Sequence, residues 1–199
     1  MNRNNQVELD YSSLIKLIPI GLGISVFANA FIQTTIADLH IHIAFLLIFT
    51  LITLDSILEF GRYDYSKLPK SLKIISFLNG FILIALIISI SFYSNQYLKD
   101  KAISLIFITL ALSSLTEFSF SLILGKALKK QTISDTTMID YDVKDTNIYC
   151  IWEVLFLLIY LFLSVGKFTS LLNIDFIIPW IGLFTLLIEI FVFNYFKSN

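Results

Sequence analysis

The chain has 199 residues, of which 57% are hydrophobic and 15% are charged, and its mean hydropathy is +0.83. A soluble domain of ordinary composition has about 45–50% apolar and about 25% charged residues, so these values exclude a soluble globule. The formal net charge of -1 argues against nucleic acid as a partner, because nucleic-acid-binding proteins present a basic surface, and the single cysteine excludes an internal disulfide framework.

Six long apolar segments are predicted to cross a membrane as α-helices. A helix needs about 20 mainly apolar residues to span a hydrocarbon core about 30 Å thick, and these segments are continuously apolar, unlike the alternating strands of a membrane barrel. The predicted spans cover residues 14–36, 41–60, 74–93, 102–125, 148–166 and 176–196. We therefore expect an all-α fold, a single integral membrane domain over residues 1–199 that forms a polytopic bundle of six transmembrane helices.

The positions of lysine and arginine predict the orientation of this bundle. Eleven of the 14 residues lie in the N-terminal tail, the second and fourth connections and the C-terminal tail, whereas Lys99, Lys101 and Lys167 lie on the other side. Cytoplasmic segments of membrane proteins are enriched in these residues, so both termini are predicted to be cytoplasmic, with the cell membrane as the location. The longest connection, residues 126–147, is then a solvated cytoplasmic loop.

Acidic residues inside the predicted spans are the first candidates for function. A charged side chain costs about 2.5–3.5 kcal/mol at the centre of a transmembrane helix on insertion scales, so such residues usually have a role. Asp55 and Glu59 share one face of the second span with Arg62, Glu189 lies in the sixth span, and Glu153 is expected in the first turn of the fifth. Two interpretations stay open for them: a functional site on the cytoplasmic side, or side chains that fix helix depth and packing.

Glu117 is the strongest of these candidates. Its predicted position is about 12 Å from the end of the fourth span, and Ser113, Ser114 and Ser121 accompany it at helical spacing. Desolvation and the nearby helix C-terminus both disfavour a negative charge at this position, which suits a group that takes up and releases a proton. The candidate proton, cation or partner site therefore consists of Glu117, Ser113, Ser114, Ser121, Asp55, Glu59 and Glu189.

Motifs for catalysis and metal binding are missing from the sequence. It contains no H-E-x-x-H, G-x-S-x-G, P-loop or dinucleotide-binding pattern, so we expect that the protein is not an enzyme. Asp38, His40 and His42 alternate near the predicted outer side, but three potential ligands without a fourth do not define a metal site. Neither a metal nor another cofactor is therefore expected.

Small residues in the first span offer a surface for close helix packing. Gly21, Ser25 and Asn29 recur every four residues, and Gly182 and Thr185 have a similar spacing in the sixth span. Such faces let helix backbones approach each other, either inside a bundle or between two copies of a chain. Packing within the bundle and a homodimer seam are both open.

Two segments of the chain resemble each other. Residues 47–60 and residues 105–118 agree at seven of fourteen positions. Internal repeats are common in transporters, although apolar helices also agree by chance, so a true duplication is left open.

In its size, its six spans with short loops and its composition rich in Ile, Asn and Lys, the whole chain resembles the small polytopic membrane proteins of low-GC Gram-positive bacteria. These include bacteriocin- and toxin-immunity proteins of secretion loci. The resemblance implies a non-enzymatic protein that binds a partner within the lipid bilayer, such as a toxin or another membrane protein, and gives immunity or assists secretion. The acidic residues suggest the alternative, a small proton- or cation-coupled transporter.

Overall fold

Helices make up nearly all of the chain that the computed structural model describes, which is residues 21, 23, 25, 39–60, 69–93, 98–129, 143–169 and 177–197. The five long helices within these ranges are α1 Leu39–Phe60, α2 Lys70–Tyr93, α3 Lys99–Lys129, α4 Val143–Phe168 and α5 Ile178–Lys197. They coincide with predicted spans two to six, which confirms the all-α class. Most of the first predicted span, residues 14–36, lies outside the described residues.

Three of these helices are long and apolar enough to cross a membrane. They are the segments Lys70–Tyr93 in α2, Lys101–Lys129 in α3 and Thr146–Phe168 in α4. α1 and α5 contribute the shorter apolar stretches Leu39–Leu54 and Ile178–Phe191 among the residues searched. Length and composition therefore agree with a membrane protein.

The bundle is apolar on its outside and partly polar on its inside. On α4, the side chains of Ile151 and Phe162 are 71% and 67% exposed, whereas Glu153 and Ser164 on the opposite face are 2% and 3% exposed. In water, exposed apolar surface costs roughly 25 cal/mol per Å², but in hydrocarbon such a face is already in a favourable solvent. This distribution is the one expected for helices surrounded by lipid.

The antiparallel helices α3 and α4 contact each other over most of their length. The Ser104 hydroxyl donates to the Ser164 carbonyl at 2.6 Å, and the Ser164 hydroxyl donates to the Ser104 carbonyl at 3.1 Å. At the other end of the pair, a Cβ on Gly125 would lie 2.7 Å from Oγ1 of Thr146, so glycine permits this approach. Along α3 the two contacts are about 32 Å apart at 1.5 Å per residue, close to the thickness of a hydrocarbon core.

The packing of α3 on α4 also corrects the predicted loop boundaries. The loop was expected over residues 126–147, but α3 continues to Lys129 and α4 begins at Val143. Thr146 is buried against Gly125, so helix packing extends both helices past the apolar segments from which the spans were predicted. Positive charge in the last turn of α3 is also favourable there, because it interacts with the helix dipole.

Two apolar clusters hold the helices together. The larger one joins all five helices and contains the fully buried rings of Phe45, Phe107 and Phe156. Gly182 of α5 packs against the Phe107 ring, which confirms packing inside the bundle for this small residue. A smaller cluster, composed of Leu72, Phe120 and Leu124, joins the N-terminal part of α2 to the C-terminal part of α3.

Candidate functional site

Glu117 is hydrogen-bonded to the neighbouring helix α2. The Asn79 amide nitrogen Nδ2 donates to Oε1 of Glu117 at 2.5 Å, and the Ser113 hydroxyl donates to Oδ1 of Asn79 at 3.4 Å. Ser113 and Glu117 are one helical turn apart, so they lie on the same side of α3. The side-chain amide of Asn79 therefore bridges two polar residues of the predicted stripe.

Glu117 lies farther from the end of its helix than the sequence predicts. α3 ends at Lys129, which is about 18 Å from Glu117 at 1.5 Å per residue, instead of the expected 12 Å or so. Because the helix dipole acts mainly on the last turn, its effect on Glu117 is small, and that part of the sequence argument is wrong. Asn79 is near the middle of α2, so the hydrogen-bonded pair lies about halfway along the two helices, and both side chains are half-buried.

The structure describes the side chains of only some of the remaining residues predicted in the second and fourth spans. Ser114 is buried and Ser121 is half-buried on α3. Asp55 and Glu59 belong to the last two turns of α1, but their side chains lie outside the part of the chain that the structure describes. Arg62 lies wholly outside it. The predicted ion pair on this face therefore stays a prediction.

Glu189 is a second hydrogen-bonded acid in the bundle. The Tyr160 hydroxyl of α4 donates to Oε2 of Glu189 at 2.9 Å, and both side chains are buried. Thr185, one turn earlier on α5, donates its hydroxyl hydrogen to the carbonyl of Ile181 in its own helix. Tyr160 is near the middle of the apolar segment Thr146–Phe168, so Glu189 lies near mid-depth, deeper than its predicted place in the cytoplasmic half.

The position of Glu153 differs most from the sequence-based expectation. It was expected in the first turn of its helix, but α4 begins at Val143, so Glu153 is three turns inside and almost completely buried. It lies on the same face of α4 as Tyr160, seven residues earlier in the chain. The sequence feature that indicates burial of Glu153 is its heptad spacing with three aromatic residues. Tyr149, Glu153, Phe156 and Tyr160 share one face of α4, and all four are buried.

The register of α3 and α4 sets Glu117 and Glu153 at similar depths. Sγ of Cys150 lies 4.0 Å from the carbonyl oxygen of Phe118, in line with the serine contact described above. Because the two helices are antiparallel, Glu117, one residue before Phe118, lies beside position 151 of α4. Glu153 is two residues further along α4, so the two glutamates are level to within about one turn. We call Glu117, Glu153 and Glu189 the interior acids.

Asn79 and Tyr160 are the site residues that the sequence analysis missed. Each is a polar residue in the middle of an apolar run, which is itself a signal in a transmembrane helix. Neither is a charged group or a small hydroxyl residue, the two kinds that the predicted site contains. The structure adds a neutral hydrogen-bond donor on a neighbouring helix to two of the interior acids.

The histidines near the start of α1 do not form a metal site with described neighbours. His42 is buried and packs edge-on against Tyr93, with ring centroids 5.1 Å apart. Asp38 lies outside the described residues. Among the residues that are described, no three His, Cys, Asp or Glu side chains are close enough together to hold a metal ion.

No protein family model matches the chain, and no curated protein or solved structure is significantly similar to it. The function must therefore be inferred from the interior acids and from the helices that surround them.

Proposed function

We propose that the chain is a cell-membrane protein with six spans, formed by one membrane domain whose two termini are cytoplasmic. The distribution of lysine and arginine supports the orientation. Gly23 supports the first predicted span as one of the six, because it is helical and buried, and a Cβ there would overlap the ring of Phe49 on α1. The first predicted span therefore has a contact with the bundle.

We propose that this protein transports a proton or another small cation across the membrane and that Glu117 is its binding group. The observation that carries this proposal is the hydrogen bond from Asn79 to the half-buried Glu117, about halfway along α2 and α3. A carboxylate at membrane depth is costly unless it is hydrogen-bonded, and such residues usually mark ion or proton pathways. Asn79 keeps the carboxylate oriented while one of its oxygens can accept an ion.

Substitution of Glu117 by glutamine tests this proposal. Glutamine has the shape of a protonated glutamate and can accept the same hydrogen bond from Asn79, but it cannot bind and release a proton. In proteoliposomes containing a pH-sensitive dye, with a potassium diffusion potential across the membrane, we expect Glu117→Gln to abolish proton uptake. Parallel measurements with radioactive sodium test the other cation.

A matched control for this experiment is Ser119→Ala on the same helix. The Ser119 hydroxyl donates to the carbonyl of Leu115 in its own helix, so its removal should leave uptake unchanged. Thermal unfolding in detergent verifies that both variants fold. A folded Glu117→Gln protein with full proton and sodium uptake contradicts the transport proposal.

Binding of a partner within the bilayer is a second proposal, favoured by the exposed side of the first predicted span. Gly21 and Ser25 are helical and exposed, and no atom lies within 4 Å of a Cβ built on Gly21. A small, exposed helix face accommodates a helix from a second copy, a toxin or another membrane protein. This is the kind of partner that the resemblance to immunity and secretion proteins implies.

The two proposals predict opposite results for two substitutions. If partner binding is the function, Gly21→Ile should weaken a homodimer or a co-purified complex in native mass spectrometry, and Glu117→Gln should have little effect. If transport is the function, Glu117→Gln should abolish uptake, and Gly21→Ile should leave the uptake of each protein molecule unchanged.

A further inference from the structure

We infer that the ion handled by the interior acids is the proton, and not a metal cation such as sodium. This inference rests on the proposed transport function and specifies its substrate. It is drawn from the continuity of the helices, from the groups that contact the acids, and from the number of oxygen atoms that each ion needs.

Unbroken helices leave few backbone ligands near the interior acids. Sodium sites in transporters commonly use carbonyl oxygens that are freed where a transmembrane helix is unwound. α2, α3 and α4 continue without interruption through Asn79, Glu117 and Glu153, and each of these residues is more than two turns from either end of its helix. Backbone carbonyls beside them are therefore used in the hydrogen bonds of the helix.

Two neighbouring side chains contact the acids as hydrogen-bond donors. Asn79 directs an N–H group at Glu117, and Tyr160 directs an O–H group at Glu189. A metal cation at the same carboxylate oxygen would face the positive end of that N–H or O–H bond. A metal cation that both carboxylate oxygens bind would require the donor to turn away, whereas a proton needs only the other oxygen and leaves the donor in place.

The number of ligands also favours the proton. Hard cations such as calcium and magnesium are bound by roughly six or more oxygen atoms, whereas a proton needs one lone pair. Glu117 is held by a donor from α2, and Glu189 is held by a donor from α4, so each acid belongs to a different helix pair. Glu117 and Glu189, hydrogen-bonded in different helix pairs, suit successive proton binding.

Infrared spectroscopy of the full-length protein in liposomes tests this inference. A protonated carboxylic acid has a carbonyl stretching band that the carboxylate lacks. The chain has 15 Asp and Glu residues, so the part of the band that a Glu→Gln variant loses reports protonation of that one interior acid. We expect this band to develop identically in sodium chloride and in N-methylglucamine chloride. Glu117→Gln and Glu189→Gln should each remove a part of it.

Tyr160→Phe provides a more specific measurement at Glu189. This substitution keeps the aromatic ring but removes the hydroxyl donor, so the carbonyl band of protonated Glu189 should move to a higher frequency. Phe162→Leu, on the exposed face of the same helix, is the control and should leave the band unchanged. A titration that sodium displaces to lower pH overturns the inference, because it means that sodium competes for the carboxylates. A carboxylic acid band that neither Glu117→Gln nor Glu189→Gln diminishes overturns it as well.

The infrared and flux measurements separate this inference from the proposed function. Protonation that is independent of sodium, without any flux, supports proton binding and refutes transport. Flux that requires sodium supports transport but contradicts the inference that the transported ion is the proton. If Glu117→Gln does not fold, Tyr160→Phe still tests proton binding at Glu189.

Discussion

The contact between Gly182 and Phe107 gives a quantitative test of how closely α5 packs against α3. A Cβ on Gly182 would lie 2.5 Å from Cε1 and 2.9 Å from Cζ of Phe107. Carbon atoms in contact prefer about 3.5–4.0 Å, so Gly182→Ala requires a movement of about 1 Å. The Phe107 ring is 0% exposed and is surrounded by the larger apolar cluster, so it has little room to move.

The expected magnitude is best expressed as a difference between two variants. Overpacking of a core costs about 1–3 kcal/mol, whereas replacement of glycine by alanine in a helix gains up to about 1 kcal/mol. Gly21→Ala has the same helical gain, but its Cβ meets no atom within 4 Å. Gly182→Ala should therefore be less stable than Gly21→Ala by about 1–3 kcal/mol.

Unfolding by sodium dodecyl sulfate in mixed micelles measures this difference. A double-mutant cycle with Phe107→Leu separates the clash from other effects, because the smaller side chain should absorb part of the cost of Gly182→Ala. Equal stabilities of the Gly182→Ala and Gly21→Ala proteins, or purely additive effects in the cycle, would refute the close contact between α5 and α3.

Two further predictions concern the α3–α4 pair and the orientation. The Ser104→Ala/Ser164→Ala double variant should lose about 0.6–2 kcal/mol of free energy of unfolding in the same assay, because both hydroxyl bonds between the helices disappear, and unchanged stability would contradict their contribution. In a Cys150→Ser background, Asn95→Cys should react with an impermeant maleimide added outside intact cells, and Asp135→Cys should not. Labelling of position 135 alone would reverse the predicted orientation.

The positions of the helices could be predicted from the sequence because the length of an apolar run largely decides where a membrane helix forms. The predicted spans 41–60 and 74–93 differ from α1 and α2 by only a few residues at one end. The start of α4 could not be predicted in this way. It depends on Thr146 packing against Gly125, a tertiary contact between residues that are far apart in the chain.

The candidate site could be predicted only along a single helix. Helical spacing alone puts Ser113 and Glu117 on one side of α3, and both contact Asn79. Which helix donates to which acid depends on the arrangement of neighbours, and helices that are apolar nearly all round carry little information about that arrangement. The partnership of Tyr160 with Glu189 therefore becomes visible only in three dimensions.

The serine pair and the glycine contact at opposite ends of α3 and α4 have a mechanical consequence. Two helices in close contact at both ends are expected to move as one rigid body. A protonation change at Glu117 should therefore shift α3 and α4 together without separating them. We expect relative motion at the boundary with α1 and α5, which the hydrogen bond between Tyr160 and Glu189 crosses. Spin labels on either side of that boundary should move apart when Tyr160→Phe removes this hydrogen bond. The distance between labels on α3 and α4 should stay the same.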